Sequence, residues 1–222
     1  MTFKRARSDQ HVQERLNEII SAASAIYDSV GYEGLSFSEI SKLTRFTRPT
    51  IYKYFKTKEE ILLKILLTDM ESWVSSLMNS FQLNKIYSVD EIASIWANVI
   101  TKNDRILNLY AILFTLIEKN VSLESLVEFK KGMLSLQIPV TELLKQLFPK
   151  ADNQDISDFI INQLALAQGL YPMSQLSELQ MKAIELSGRT YTPPNFETSY
   201  KANVYQLMHC LEKGIRYPNK SK

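Results

Sequence analysis

The chain has 222 residues, 45% of them hydrophobic, with 26 basic against 24 acidic side chains and a formal net charge of +2; that is enough chain for a sizeable core and for two domains. Cys210 is the single cysteine, which excludes a disulfide framework within the chain. With two histidines, no glycine-rich phosphate loop, no nucleophile elbow and no metal-ligand spacing, an enzyme is not expected, nor is a cofactor.

The chain begins with a short basic arm, Lys4, Arg5 and Arg7, and no apolar stretch follows it as a signal peptide would require. The most apolar run, residues 106–117, is too short to cross a bilayer, so no membrane partner and a cytoplasmic location are expected. Leu16, Ile19, Ile20, Ala23, Ile26, Tyr27 and Val30 then repeat at helical spacing, and Gly31 closes that helix. Ser36 can cap the next helix, Glu39 stands three residues later as in a capping box, and Phe37, Ile40 and Leu43 mark one buried face. Thr44, Arg45 and Phe46 break the pattern. Thr47 can cap a further helix with Pro49 in its first turn, where a missing N–H costs nothing, and this helix is expected to run from Arg48 to about Phe55.

Within it Ile51 and Phe55 face inward, which leaves Arg48, Thr50, Tyr52, Lys53 and Tyr54 around the entry and outer surface. Between Ile40 and Lys58 the sequence carries Lys42, Arg45, Arg48, Lys53, Lys56 and Lys58 and no acidic residue, whereas a merely solvated face mixes both signs. Residues 1–58 hold ten basic against six acidic side chains, leaving 16 against 18 for residues 59–222, so the positive charge is concentrated at the N-terminal end. Two short helices at a tight turn with such a surface form a helix-turn-helix that reads DNA. An arginine at the entry of the second helix can pair with guanine O6 and N7, and the hydroxyls of Thr47, Thr50, Tyr52 and Tyr54 suit phosphate oxygens.

Gly31-Tyr-Glu-Gly34, Ser36 to Ser41, Thr47-Arg-Pro-Thr-Ile-Tyr-Lys-Tyr-Phe55 and Lys58-Glu-Glu-Ile-Leu62 together resemble the N-terminal domain of the tetracycline-repressor (TetR) family of bacterial transcription regulators, over about residues 12–67. The resemblance implies an all-α homodimer that binds a near-palindromic, double-stranded operator, usually represses, and releases DNA when a small-molecule effector enters the C-terminal domain. It implies Arg48 and Lys53 as sequence readers, Tyr52 on phosphate or a thymine methyl, and Ser36, Thr47, Thr50, Tyr54 and Lys58 on phosphates. The turn departs from the family pattern, in which Ala-Gly-Val is commoner than Thr44-Arg45-Phe46. A left-handed conformation at Arg45 would cost about 1 kcal/mol, and Arg45 could instead add a DNA contact of its own.

After the head, Lys58 to about Asn79 reads as one long helix with Leu62, Leu66, Met70, Trp73 and Leu77 on one stripe, a lever between residues 1–58, the DNA-binding domain, and residues 59–222, the regulatory and dimerisation domain. Further helices are expected over 89–101, 104–119, 122–148 with a kink or local break at Pro139, 152–169 and 196–214, with an irregular connection and a short helix near 177–186 between the last two. Trp96, Tyr110, Phe114, Phe129, Met133, Gln137 and Gln163 are candidates to line an effector pocket, although aromatic stripes at this spacing also serve as plain core. A neutral or weakly polar apolar effector fits their chemistry. Ile156, Ile160, Leu164 and Ala167, with Tyr200, Val204, Leu207 and Leu211, form two stripes suited to a four-helix dimer interface or to packing within one subunit. A DNA-organising or division-control protein that uses the same head without an effector is the alternative function.

Overall fold

A computed structural model describes residues 2–82, 84–188 and 190–215, with side chains from His11 onward, so the basic arm of Lys4, Arg5 and Arg7 lies outside the described side chains. All regular structure among the described residues is helical: α1 (Thr2–Gly34), α2 (Phe37–Leu43), α3 (Arg48–Ile51), α4 (Lys58–Asn79), α5 (Val89–Thr101), α6 (Asp104–Ile112), α7 (Leu123–Leu147), α8 (Asn153–Ser174), α9 (Glu178–Leu186) and α10 (Phe196–Lys213). No helix among them is long and apolar enough to cross a membrane. The chain divides into two compact units, residues 1–68 with 113–132, and residues 69–112 with 133–222.

In the first unit, α1 supplies Ile19, Ala23, Ile26 and Tyr27 to a core completed by Leu35, Phe37, Ile40, Ile51, Phe55, Leu62 and Leu66. Val30, at the end of the α1 stripe, stays 55% exposed, because the helix breaks at Gly31, whose φ of 67° suits a residue without Cβ. The first turn of α7 is tied to the start of α4 through Glu60, which is only 4% exposed. Its Oε2 accepts from the backbone N–H of Lys56 at 2.7 Å and its Oε1 from Ser122, while Thr57 Oγ1 donates to the Asn120 carbonyl at 2.9 Å. Deeper along the same pair of helices, a Cβ placed on Gly132 would stand 2.7 Å from Leu67 Cδ2. A side chain at position 132 would therefore require the half-buried Leu67 to turn aside.

In the second unit, α10 packs on α5 and α8, and α6 packs on α8 and α5. Trp96 sits at the centre, fully buried, edge-to-face with both Trp73 and Phe159. Gln163 is buried beside it, accepting from Trp96 Nε1 at 3.4 Å and from the Tyr200 hydroxyl at 2.5 Å while donating to the Ile160 carbonyl at 3.2 Å. Arg105 grips Asp69 with two hydrogen bonds of 2.7 Å, fixing α6 on the second half of α4. Capping boxes start α5 at Ser88, α8 at Asp152 and α9 at Ser177.

Several expected elements differ in detail. The α3 helix is one turn, Arg48–Ile51, followed by turn residues to Tyr54, rather than helix to Phe55. The segment expected as helix to residue 119 changes after Ile112 into five π-helical residues, Leu113–Ile117, and a 3-10 turn, Glu118–Asn120. Pro139 lies inside an unbroken α7: its ring removes one backbone hydrogen bond, and the buried Val140, Leu143 and Leu144 beyond it hold the helix together. The α8 helix continues five residues past Gly169, through Pro172.

Candidate nucleic-acid interface

The reading surface is built on a short frame. Ser36 caps α2 by accepting the Glu39 N–H at 3.2 Å, although the Glu39 carboxylate pairs with Lys42 at 2.7 Å. Thr47 occupies the cap position of α3 but makes no capping bond, its hydroxyl lying 3.1 Å from that of Thr50. Buried Ile51 and Phe55 press the inner side of the motif into the core. The opposite side presents Arg45, Thr47, Arg48, Tyr52 and Lys53 to solvent, with Ser36, Thr50, Tyr54 and Lys58 half-buried at its border.

Most of these groups are held rather than loose. Arg48 Nη2 donates to Ser38 Oγ at 2.8 Å, and the Tyr52 ring meets Phe37 edge-to-face with centroids 4.6 Å apart. The Tyr54 hydroxyl accepts from Arg15 at 3.3 Å, bringing a further cation from α1 to the surface. Side chains ordered in advance lose less entropy on meeting a partner than loose ones do.

Arg45 is anchored by Glu18 of α1, which accepts from its backbone N–H at 3.1 Å and pairs with its Nε at 3.0 Å. Asn84 is the one non-glycine residue with positive φ among the described residues, so the turn does not place Arg45 in the left-handed region. The Glu18 anchor replaces the flexibility of a glycine. Lys58 is likewise engaged: its Nζ donates to the Tyr32 carbonyl at 2.7 Å and lies 3.8 Å from the centroid of the Tyr32 ring. Burial first, then the 2.5 Å hydrogen bond to Glu59, pushes the Tyr32 hydroxyl up to about 12. Glu18 and Arg15 carry no helix-turn-helix signature of their own, and their contacts, like those of Ser38 and Tyr32, are visible only through the fold.

The second unit gathers only part of the expected pocket set. Trp96, Tyr110 and Gln163 come together in its core, and Met133 and Gln137 are half-buried on α7. Phe114 and Phe129 belong to the first unit, Phe114 half exposed against Lys130 and Phe129 buried. Of the stripes weighed for a dimer interface, Ile156, Ala167, Tyr200, Val204 and Leu211 are buried in the subunit's own core, so they cannot meet a partner. Ile160, Leu164 and Leu207 are half-exposed. The pairing of α8 with α10 and α6, and of α10 with α8 and α5, absorbs one face of each helix. The outward face is a different one, with Ile161 61% exposed beside an open groove of about 650 Å³ lined by Asn162, Ala165, Leu166, Asn203, Gln206, Leu207 and Cys210.

Comparison with known proteins matches the reading head over residues 19–65 to the model of the bacterial regulatory proteins of the tetR family. Residues 67–214 match a tetracyclin repressor-like C-terminal domain. The chain belongs to the TetR family of DNA-binding transcription regulators. It is 31% identical over 80 residues to YdgC and 26% identical over 90 residues to YfiR, two HTH-type transcriptional regulators of Bacillus subtilis, and these matches span 36% and 40% of the chain. The chain covers about two fifths of the length of each. In fold it is similar to a TetR-family regulator of Syntrophomonas wolfei (TM-score 0.55, 19% identity, 93% of this chain and 99% of that one). It is similar also to a transcriptional regulator of Rhodococcus (TM-score 0.54, 14% identity, 87% and 96%).

Proposed function

We propose that the protein is a cytoplasmic, ligand-responsive repressor that binds a near-palindromic operator as a homodimer. The observation that carries this reading is the side of the helix-turn-helix opposite Ile51 and Phe55, where Arg48, Tyr52 and Lys53 stand exposed on a frame held by Ser38 and Phe37. Arg48 and Lys53 read base edges, Tyr52 meets a phosphate or a thymine methyl, and Thr47, Thr50, Tyr54 and Ser36 hold phosphates. Lys58 contributes from the position fixed by Tyr32.

The dimer is supported by the outward face of α8 and α10. No Asp, Glu, Lys or Arg occurs from Phe159 to Ser177 or from Ala202 to Leu211, and an uncharged face meets its own copy without like-charge repulsion. The effector is supported by a second unit whose core mixes apolar groups with Gln163 and Tyr110. Selection of DNA from a random pool by the purified protein tests the reading. It should enrich inverted repeats whose half-site centres lie about 34 to 36 Å apart. Enrichment of single half-sites by a 25.6 kDa species would overturn it.

A further inference from the structure

Trp73 on α4 is 5% exposed, and its indole Nε1 is buried without a hydrogen-bond acceptor among the described residues. The neighbouring Gln163 carbonyl cannot serve it, because that oxygen already accepts from Trp96 Nε1 and from the Tyr200 hydroxyl, which fill its two lone pairs. Trp73 lines a narrow, partly open cavity of the second unit, whose walls include Met70, Ile106, Leu107 and Leu164 and carry no charged side chain. Only about 10 Å³ there can hold the centre of a water molecule, room for about one. A water needs two to four polar partners, and the one donor left over by the surrounding network serves it poorly.

We propose that this cavity opens to receive an uncharged apolar molecule bearing one carbonyl-type acceptor, whose oxygen takes the Trp73 N–H. The proposal rests on the reading of the second unit as the effector domain and names the chemistry of its ligand. A buried donor without a partner is a standing cost that a ligand acceptor removes, whereas a plain hydrocarbon leaves it in place. A carboxylate would enter without a cation to meet it, and an ammonium without an anion. Met70, unbranched and adaptable, is the wall best able to yield as the cavity enlarges.

Calorimetric titration of the full-length protein with 2-heptanone, heptane, heptanoate and heptylamine tests the proposal, with Trp73→Phe as the variant that removes the donor and keeps an aromatic wall. The ketone should bind the wild type about tenfold or more tighter than the other three, and Trp73→Phe should lose about that factor for the ketone alone. Absence of saturable ketone binding, or equal ketone affinity in Trp73→Phe, would overturn the site. If Trp73→Phe does not fold, the indole N–H resonance of Trp73 in the wild type decides: a shift on adding ketone supports the site and no shift overturns it. Ketone binding that leaves operator affinity unchanged would sink the effector role proposed above and spare this site. Operator release by another compound with the Trp73 resonance unmoved would do the reverse.

Discussion

The Glu60 carboxylate holds Ser122 twice, by its backbone N–H at 3.2 Å and by its hydroxyl at 2.6 Å. Since the same side chain also takes the Lys56 N–H, one buried anion joins the exit of the reading motif to the first turn of α7. Burial alone would raise its carboxyl pKa, but the bonds from Ser122 and Lys56 outweigh it and hold the group below its ordinary value of 4.5.

Glu60→Gln should therefore destabilise the fold by about 1 to 3 kcal/mol, because an amide cannot accept from all three donors. A lowered folded pKa means a contribution complete above the ordinary carboxylate range and lost as pH falls through the lowered value. Urea unfolding at pH 7 and in increasingly acid buffer checks both parts. The gap between wild type and Glu60→Gln should be widest at neutral pH and close in acid, and a gap that does not shrink would refute the assignment.

Arg48→Ala should weaken operator binding by about 1 to 3 kcal/mol and alter base preference at one position of each half-site, measured by competition on a variant library. Lys58→Ala should lower the salt slope by about one and, since its ammonium also ties Tyr32 to α4, lower the melting temperature as well. An unchanged preference in Arg48→Ala would mean that another face enters the groove.

Replacing Arg45 by the glycine commoner in this family should not relieve strain. Arg45 is outside the left-handed region and Glu18 holds its backbone, so Arg45→Gly should lose about 0.5 to 1 kcal/mol through the freer unfolded chain. Stabilisation in urea titrations would show that the turn is strained after all.

Gln163→Leu removes the acceptor shared by Trp96 and Tyr200 inside the core. With two buried donors orphaned, the loss should be about 2 to 5 kcal/mol. A Tm within two degrees of the wild type would mean that both donors had found other partners.

If the effector mechanism holds, operator DNA and effector must weaken each other by the same factor. Titrating effector with and without saturating operator measures it, and equal affinities would favour the alternative of a DNA-organising protein without a small-molecule switch.

The head was legible because its signals are local: Ser36 caps, Pro49 opens a helix, and Phe37, Ile40, Ile51 and Phe55 are buried at the spacing expected, whereas Leu43, expected on the same face as Phe37 and Ile40, ends its short helix 62% exposed. The second unit was less so. Tyr200 and Val204 carry the apolar stripe that either a dimer seam or a core would need, and only the position of α5 against α10 decides between them. Likewise nothing around Glu60 announces Ser122, 62 residues away, because a buried carboxylate finds its donors through tertiary packing.

Leu67 and Gly132 occupy space that either one alone could fill, so they form a single unit of inheritance. A lineage that acquires a side chain at position 132 must turn the one at 67 aside or shorten it. Leu67→Ala should therefore lower the cost of Gly132→Ala below its cost in the wild-type background, and natural variants of this chain are expected to exchange bulk between the two positions rather than gain it at both.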